Sequence, residues 1–213
     1  SAHRAGISSS LWSLFGQVDW QATDSMKLSA GMRYIDEKKS INVRSVYQVA
    51  ALPSLALNTT VPTPIVADLS TDGLAWNLSA LFDIAADTTL YATISEGYKA
   101  GGYNSVEVGS RFDNEDVWNL EGGVKSLFAS YGLILNAAAF YYVYDNRQAI
   151  ALVTGANGSG IPQYVVDSSD EEAFGLEADA RWQPNEALTL SATLAWIDAT
   201  YTTPNEHNQP MEP

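Results

Sequence analysis

The stretch that decides the fold is Glu115–Arg147, EDVWNLEGGVKSLFASYGLILNAAAFYYVYDNR, two alternating runs joined by a few residues near Ser130. In the first run, Trp118, Leu120, Gly122 and Val124 alternate with Asn119, Glu121, Gly123 and Lys125. A period of two indicates a strand with one apolar and one polar face. Such runs exceed the usual strand of about five or six residues. The stretch therefore predicts a wall with an apolar medium on one side and water on the other.

The composition is consistent with a wall of this kind. The 213 residues include 11 Lys and Arg against 25 Asp and Glu, a formal net charge of -14. We expect no nucleic-acid partner, because phosphate would be repelled. Charged residues are 17% of the chain, below the roughly 25% of ordinary soluble domains. Few charges combined with 11 Tyr and 6 Trp favour a membrane β-barrel, whose outer surface would contact lipid.

Several signals are missing from the sequence. The chain has no cysteine, so disulfides, thiolate metal sites and cysteine nucleophiles are excluded. No run of about 18 apolar residues predicts a transmembrane helix. Ser1–Arg4 does not resemble a signal peptide, and we expect either that a signal has been removed or that this is an internal piece of a longer chain.

Alternating runs predict eight strands in all. They cover residues 8–21, 26–49, 72–83, 90–99, the two arms of 115–147, and two further arms around a turn at 184–187 that end near Tyr201. Short turns near 22–25, 85–88, 128–131 and 184–187 alternate with long loops near 40–70, 100–114, 148–170 and beyond 201. Pro53, Pro62 and Pro64 exclude a regular ladder strand from 50–70. Short turns at one end and long loops at the other are typical of outer-membrane barrels.

Tryptophans and charges divide between the two predicted faces. All six tryptophans fall on apolar faces, as lipid-facing or interfacial anchors do: Trp12, Trp20, Trp76, Trp118, Trp182 and Trp196. The sequence does not decide which of Leu90 and Tyr91 lies on the apolar face. The opposite faces carry the charged side chains, which we interpret as the polar lining of a water-filled interior rather than as catalytic groups: Arg33, Glu121, Lys125, Glu177, Asp179 and Arg181.

Several segments resemble one family. Leu14–Trp20, followed by Leu28–Tyr34 with Glu37–Lys39, resembles paired strands of TonB-dependent outer-membrane receptors. Tyr91–Asn104, containing YKAGGYN, is similar to a characteristic segment of that family, and so is Glu115–Ser126. Further matching segments are Leu135–Tyr141 and Gly175–Asp179.

The resemblance implies a fold and a function. The family has a barrel of about 22 strands, an N-terminal plug domain and a segment that contacts TonB, and we expect the plug to be absent from 1–213. The fold class predicted is therefore all-β, an antiparallel up-and-down transmembrane β-barrel, with about eight strands present as an internal or C-terminal part of a larger barrel. The implied function is TonB-energised import of a scarce nutrient such as an iron-siderophore, haem or cobalamin, across the bacterial outer membrane.

Two alternatives remain open at this stage. A small self-contained eight-stranded barrel, with a structural or adhesion role, requires 8–21 to pair with 188–201. A soluble β-sandwich that binds carbohydrate requires the tryptophan faces to be buried against one another.

Candidate site residues are few. No Gly-x-Ser-x-Gly elbow occurs and both histidines are terminal, so we predict no enzyme, no catalytic residue, no cofactor and no metal site. Aromatic and guanidinium groups near the loop ends of the strands form a candidate site for a planar or anionic ligand. The predicted ligand-binding residues are Arg44, Tyr47, Tyr103, Asn104, Arg111, Tyr144 and Arg147, and Tyr142 lies near them.

Overall fold

The computed structural model describes residues 4–44, 65–104, 111–154 and 162–203. These ranges are almost entirely extended, and the strands and their bounds are β1 Arg4–Thr23, β2 Met26–Arg44, β3 Ile65–Ala85, β4 Thr88–Lys99, β5 Gly102–Tyr103, β6 Arg111–Phe112, β7 Glu115–Phe128, β8 Leu133–Thr154, β9 Pro162–Asn185 and β10 Leu188–Tyr201. A short 3₁₀ turn, Ala129–Tyr131, separates β7 from β8. Among these residues no helix is long and apolar enough to cross a membrane.

Eight strands form a single antiparallel sheet in the order β1-β2-β3-β4-β7-β8-β9-β10. Each strand of this sheet pairs with the strands of the sheet that come before and after it in the chain, so β4 pairs directly with β7. The two strands between them, β5 and β6, pair with each other. Across the described ranges β1 and β10 are the two edges of an open arc, so the pairing needed by the small closed barrel is not formed. The sandwich is also wrong, because Trp20 is 61% exposed and, among the described residues, the second sheet is only the short β5–β6 hairpin, which is too small to bury the tryptophan face.

The predicted short turns are confirmed. Two-residue turns at 24–25, 86–87 and 186–187 join consecutive strands. The fourth turn ends at Gly132, whose φ of 60° lies in the left-handed region that favours glycine. All four lie at one end of the sheet, called here the turn end, and the longer connections lie at the loop end.

The register fixes which face each side chain occupies, because a slip of one residue would reverse it. Paired residues share a face, and the row Trp20–Leu28–Ala80–Ala92–Gly122–Ala139–Leu176–Trp196 crosses the whole arc. This apolar side is called the outer face, and all six tryptophans lie on it, as predicted. Leu90 joins it opposite Phe82, whereas Tyr91 lies on the polar inner face.

Aromatic side chains mark the loop-end limit of the apolar band. This outer aromatic ring consists of Trp12, Tyr34, Trp76, Trp118, Tyr141 and Trp196. Trp12 lies 5.4 Å from Tyr34, and Trp76 lies 5.2 Å from Trp118, between ring centroids. We take the segments between this ring and the turns as the parts that span the apolar layer.

Three predicted loops are wrong in part. β3 begins at Ile65, β8 continues to Thr154 and β9 begins at Pro162, so ladder pairing extends into the expected loops 40–70 and 148–170. The loop 100–114 contains the small β5–β6 hairpin. The extensions, such as IVADLS at 65–70 and QAIALVT at 148–154, do not alternate strictly between apolar and polar residues, because no apolar layer imposes alternation there. Residues 45–64 and 204–213, including Tyr47 and the tail, lie outside the described ranges.

The loop end has an uneven height. The hairpin β2–β3 forms one tall post, with strands of 19 and 21 residues, and β8–β9 forms a second, with strands of 22 and 24. Between the posts, β4 and β7 have only 12 and 14 residues. The segments Ala100–Asn104 and Arg111–Asn114, named here the strap, lie in this gap.

Candidate ligand-binding mouth

The inner face below the mouth is a polar network, as predicted. Tyr91 donates a hydrogen bond to Glu121 at 2.7 Å, and the Lys125 ammonium lies 5.1 Å from the centroid of the same ring. Asn136 donates to Asp179 at 2.9 Å. The carboxylates are therefore engaged within the wall and support its interpretation as the lining of a water-filled interior.

A bulge in β8 determines where Arg147 points. The pairing of β8 with β9 shifts between Tyr144 and Arg147, and Asn146 in the bulge has a φ of 54°. The Asp170 side chain accepts a 2.9 Å hydrogen bond from the Asn146 backbone N–H and holds it in place. Strict alternation would put Arg147 on the outer face, but the extra residue returns it to the inner face opposite Ser169.

Arg147 is the centre of an aromatic and charged group that we call the Arg147 cluster. Its guanidinium pairs with Glu171 and donates to the Tyr201 hydroxyl at 2.7 Å. Its Cζ also lies 6.0 Å from the Tyr144 ring centroid and 5.8 Å from that of Tyr201. Tyr142 donates to the other Glu171 oxygen at 3.1 Å and packs edge-on against Tyr144.

Burial differs across the ion pair. The Glu171 side chain is 3% exposed, whereas that of Arg147 is 37% exposed. Burial lowers the pKa of Arg147, but the carboxylate of Glu171 and the hydroxyl of Tyr201 outweigh it, so the pKa lies above its ordinary value. The guanidinium is permanently charged, and its side chain remains partly exposed.

The strap connects the two posts. Lys39 of β2 donates to the Gly101 carbonyl at 2.6 Å, and Gln148 of β8 donates to the Asp113 carbonyl at 3.1 Å. Farther along, Asn104 accepts from the Val166 backbone N–H at 2.7 Å and donates to the Val166 carbonyl at 3.2 Å. Asn104 is 4% exposed, so its role is to attach the strap to β9.

The structure brings together only some of the residues predicted for the site. Tyr144 and Arg147 belong to one cluster, while Tyr103 and Arg111 oppose each other in the strap. Arg44 ends β2, and Tyr47 lies outside the described ranges. Sequence reasoning missed Glu171 and Tyr201, which are far from Arg147 along the chain. The acidic run at 170–172 could have indicated carboxylate partners for a cation. Which cation it pairs with depends on the bulge in β8, which the sequence does not predict.

Asn104→Ala is expected to loosen the strap without unfolding the sheet. Both bonds to Val166 would be lost, which leaves a shielded backbone donor unpaired at a cost of about 1–3 kcal/mol. Hydrogen–deuterium exchange should show faster exchange at Val166 and in the strap than in the wild type. Asn119→Ala, on the inner face of β7, should leave this exchange unchanged. Equal protection of Val166 in both variants would contradict the role assigned to Asn104.

Carboxylates continue around the outer face beyond the aromatic ring. This outer carboxylate belt consists of Asp36, Asp72, Glu96, Asp116, Asp145, Glu172 and Asp198. Trp76 donates its indole N–H to Glu96 at 2.5 Å, and Tyr141 donates to Glu172 at 2.6 Å. Asp116 directly opposes Asp145 in the ladder. Burial, with Glu96, Asp145 and Glu115 nearby, raises the pKa of Asp116.

Asp116→Asn is expected to stabilise the protein at neutral pH by up to about 1 kcal/mol, because like charges directly opposite each other destabilise a ladder. A raised pKa in the folded state means that ionisation disfavours folding. The penalty is complete above the raised pKa and disappears below the ordinary value of 3.8. Urea unfolding at pH 7 and pH 3 should therefore show a gain only at pH 7. Asp198→Asn, which opposes Phe174, is the control, and an equal gain from it would contradict this origin.

Within the described ranges, no three His, Cys, Asp or Glu side chains are grouped so that they could hold a metal ion.

Comparison with known proteins identifies the family. The family profile described as "TonB dependent receptor-like, beta-barrel" matches residues 2–212. The chain belongs to this family. TonB-dependent receptors are transporters and receptors of the Gram-negative outer membrane rather than enzymes, so the outer face contacts outer-membrane lipid and the turn and loop ends lie in the periplasm and outside the cell.

Individual relatives agree with this assignment. The pesticin receptor of Yersinia enterocolitica is 25% identical over 173 residues, which cover 79% of this chain and 23% of that receptor. The ferric yersiniabactin uptake receptor of Yersinia pestis has a TM-score of 0.72 at 18% identity, covering 96% of this chain and 29% of that one. The copper transporter OprC has a TM-score of 0.68 at 17% identity, covering 92% and 29%. The chain therefore spans about a quarter of the length of the relatives it matches, and its arc is part of a TonB-dependent receptor barrel.

Proposed function

We propose that this chain forms part of the wall and outer mouth of a TonB-energised importer of a scarce nutrient, such as an iron-siderophore, haem or cobalamin complex. The observation that carries the proposal is the arc itself, a single layer with an apolar outer face and a polar inner face. Such a layer suits the wall of a water-filled passage through lipid. The names of the relatives support the class of cargo, since they include a ferric yersiniabactin uptake receptor, a siderophore receptor and a copper transporter.

Each part of the arc has a place in this function. In this proposal the Arg147 cluster on the inner face would contact the arriving nutrient, together with Tyr103 and Arg111 of the strap. The polar network around Tyr91 and Glu121 would face the plug domain. In this proposal the plug, which transmits the action of TonB, is supplied by receptor sequence outside these 213 residues.

Uptake assays test the proposal. A source strain in which the gene is disrupted would be compared with its parent for uptake of radioactive ferric chelates, haem and cobalamin. We expect the disruption to abolish uptake of one of these, and the intact gene to restore it. A protonophore should block the restored uptake, because the energy comes from the inner-membrane proton gradient. Unchanged uptake of every compound, or restored uptake that is insensitive to the protonophore, would contradict the proposal.

A further inference from the structure

Three rows of paired residues cross β8, β9 and β10 on the inner face. They are Phe140–Gly175–Ile197, Tyr142–Ala173–Ala199 and Tyr144–Glu171–Tyr201. In each row β8 contributes an aromatic ring, and β9, in the middle, contributes a buried residue. The aromatic and isoleucine side chains of these rows are called the inner strip: Phe140, Tyr142, Tyr144, Ile197 and Tyr201. From residue 140 to residue 144 the strip follows β8 for about 13 Å, at ~3.3 Å per residue.

The aromatic rings of the strip contact the sheet and one another. Phe140 lies against Gly175, where an added Cβ would overlap the phenyl ring. The Phe140 and Tyr142 rings are nearly parallel, with 6° between their planes and 6.3 Å between their centroids. Tyr142 in turn packs edge-on against Tyr144 at 5.2 Å. Phe140 remains partly exposed and Ile197 is 53% exposed, so the strip leaves apolar surface uncovered beside the proposed passage.

The position of the strip favours the nutrient as its occupant. Phe140 is adjacent to Tyr141 of the outer aromatic ring, so the strip begins at the loop-end limit of the apolar band. Its other end joins the Arg147 cluster. Toward the turn end, the inner face of β9 changes to the carboxylates Glu177 and Asp179. A nutrient that arrives from the loop end would therefore meet the strip before it reached this charged part of the wall.

We infer that the inner strip is a subsite for a flat apolar ring carried by the imported nutrient, an aromatic ring above all, and that Phe140 and Ile197 determine this specificity. The inference rests on the proposed function and names the substrate class of the same site. Neither side chain has a polar atom, so each contributes by covering apolar surface of the ligand, which is favourable in water. An aromatic ring gains further from offset or edge-on contact with Phe140 and Tyr142.

The test uses the native protein isolated from outer membranes of its source, with two uncharged ferric complexes that differ in their side groups. One is ferric tris-benzohydroxamate, which carries phenyl groups, and the other is ferric tris-acetohydroxamate, which carries methyl groups. Binding is measured by equilibrium dialysis with radioactive iron and excess free hydroxamate, which keeps the complexes intact. We expect the phenyl complex to bind at least about tenfold more tightly, which corresponds to about 1.4 kcal/mol. Equal or weaker binding of the phenyl complex would overturn the inference.

Variants show whether the strip is responsible. Phe140→Ala should reduce the preference for the phenyl complex by about fivefold, mainly by weakening binding of that complex. Phe15→Ala is the matched control, because Phe15 lies on the inner face of β1, opposite Arg33 and across the arc from the strip. This control should leave the preference unchanged. An unchanged preference in Phe140→Ala, or an equal fall in Phe15→Ala, would refute the assignment.

A second pair of variants covers the case in which Phe140→Ala fails to fold, which heat-modifiable mobility on gels would reveal. Ile197→Ser should also lower the preference for the phenyl complex. Ile134→Ser, on the inner face near the turn end and opposite Arg181, should not. The plug domain is the alternative occupant of the strip. In that case the strip variants would lower the thermal unfolding midpoint and leave the preference unchanged, which would contradict the inference.

The uptake assay on the disrupted strain separates the two proposals. Uptake of a nutrient by a receptor that shows no preference for the phenyl complex, or that binds neither complex, would overturn the subsite alone. Absence of any uptake function would overturn both.

Discussion

Leu78→Arg is expected to lower the free energy of unfolding by about 2–4 kcal/mol, the cost of a cation on the lipid face near the bilayer midplane. Leu78 lies in the middle of β3 between Ala30 and Ile94, and its side chain is 49% exposed on the outer face. In the membrane this exposed surface contacts hydrocarbon, where a guanidinium has no partner. Urea unfolding of the receptor in lipid vesicles measures the loss.

The adjacent residue provides the control for this experiment. Ser79 points to the inner face between Ser29 and Thr93, so Ser79→Arg places the same side chain in the water-filled interior. We expect a change several times smaller than that of Leu78→Arg. If the two variants were equally destabilised, or if Ser79→Arg were the worse, the assignment of the two faces would be wrong.

Gly132→Val is expected to cost roughly 2–5 kcal/mol, from backbone strain together with overpacking. Gly132 ends the turn between β7 and β8 with a φ of 60°, which is strongly unfavourable for a β-branched residue. A Cβ there would also lie 2.3 Å from the carbonyl oxygen of Gln183. That backbone cannot retreat easily, because the Gln183 N–H donates to the Gly132 carbonyl at 2.8 Å.

Thermal unfolding of the receptor in detergent measures this effect, and Gly16→Val is the matched control. A Cβ at Gly16 would meet nothing within 4 Å, and its outer-face position opposite Met32 suits an apolar side chain. Gly16→Val should therefore leave the midpoint almost unchanged. A drop for Gly132→Val no larger than that of the control would show that the turn adapts.

The sequence predicted the part of the fold that the membrane imposes. Between the turns and the aromatic ring, every second residue contacts lipid, so facing, register and the short turns follow from the period of two. All six tryptophans were assigned to the correct face for this reason. Beyond the ring this constraint ends and strict alternation is lost, so the sequence predicts loops around Ile65 and Asp167, where the backbones in fact continue the ladder.

The mouth was less predictable because it depends on contacts between distant segments. Arg147 and Tyr144 were identified as candidates, but Glu171 and Tyr201 reach them only through the register of β8, β9 and β10. The bulge at Asn146 also reverses the expected orientation of Arg147. A single Asn in an alternating run gives little indication of a bulge, so the cluster required the three-dimensional structure.

The uneven height of the loop end has a consequence for how solutes would reach the interior. At ~3.3 Å per residue, β8 and β9 extend far beyond β4 and β7 at the loop end. The rim of the barrel wall is therefore lower at β4 and β7, and this low part is called the notch. In the proposed importer, small solutes could otherwise enter sideways through this notch. Because the strap is attached to Lys39 on one side and to Val166 on the other, it spans the notch, and in that importer a nutrient would enter along the barrel axis past the Arg147 cluster.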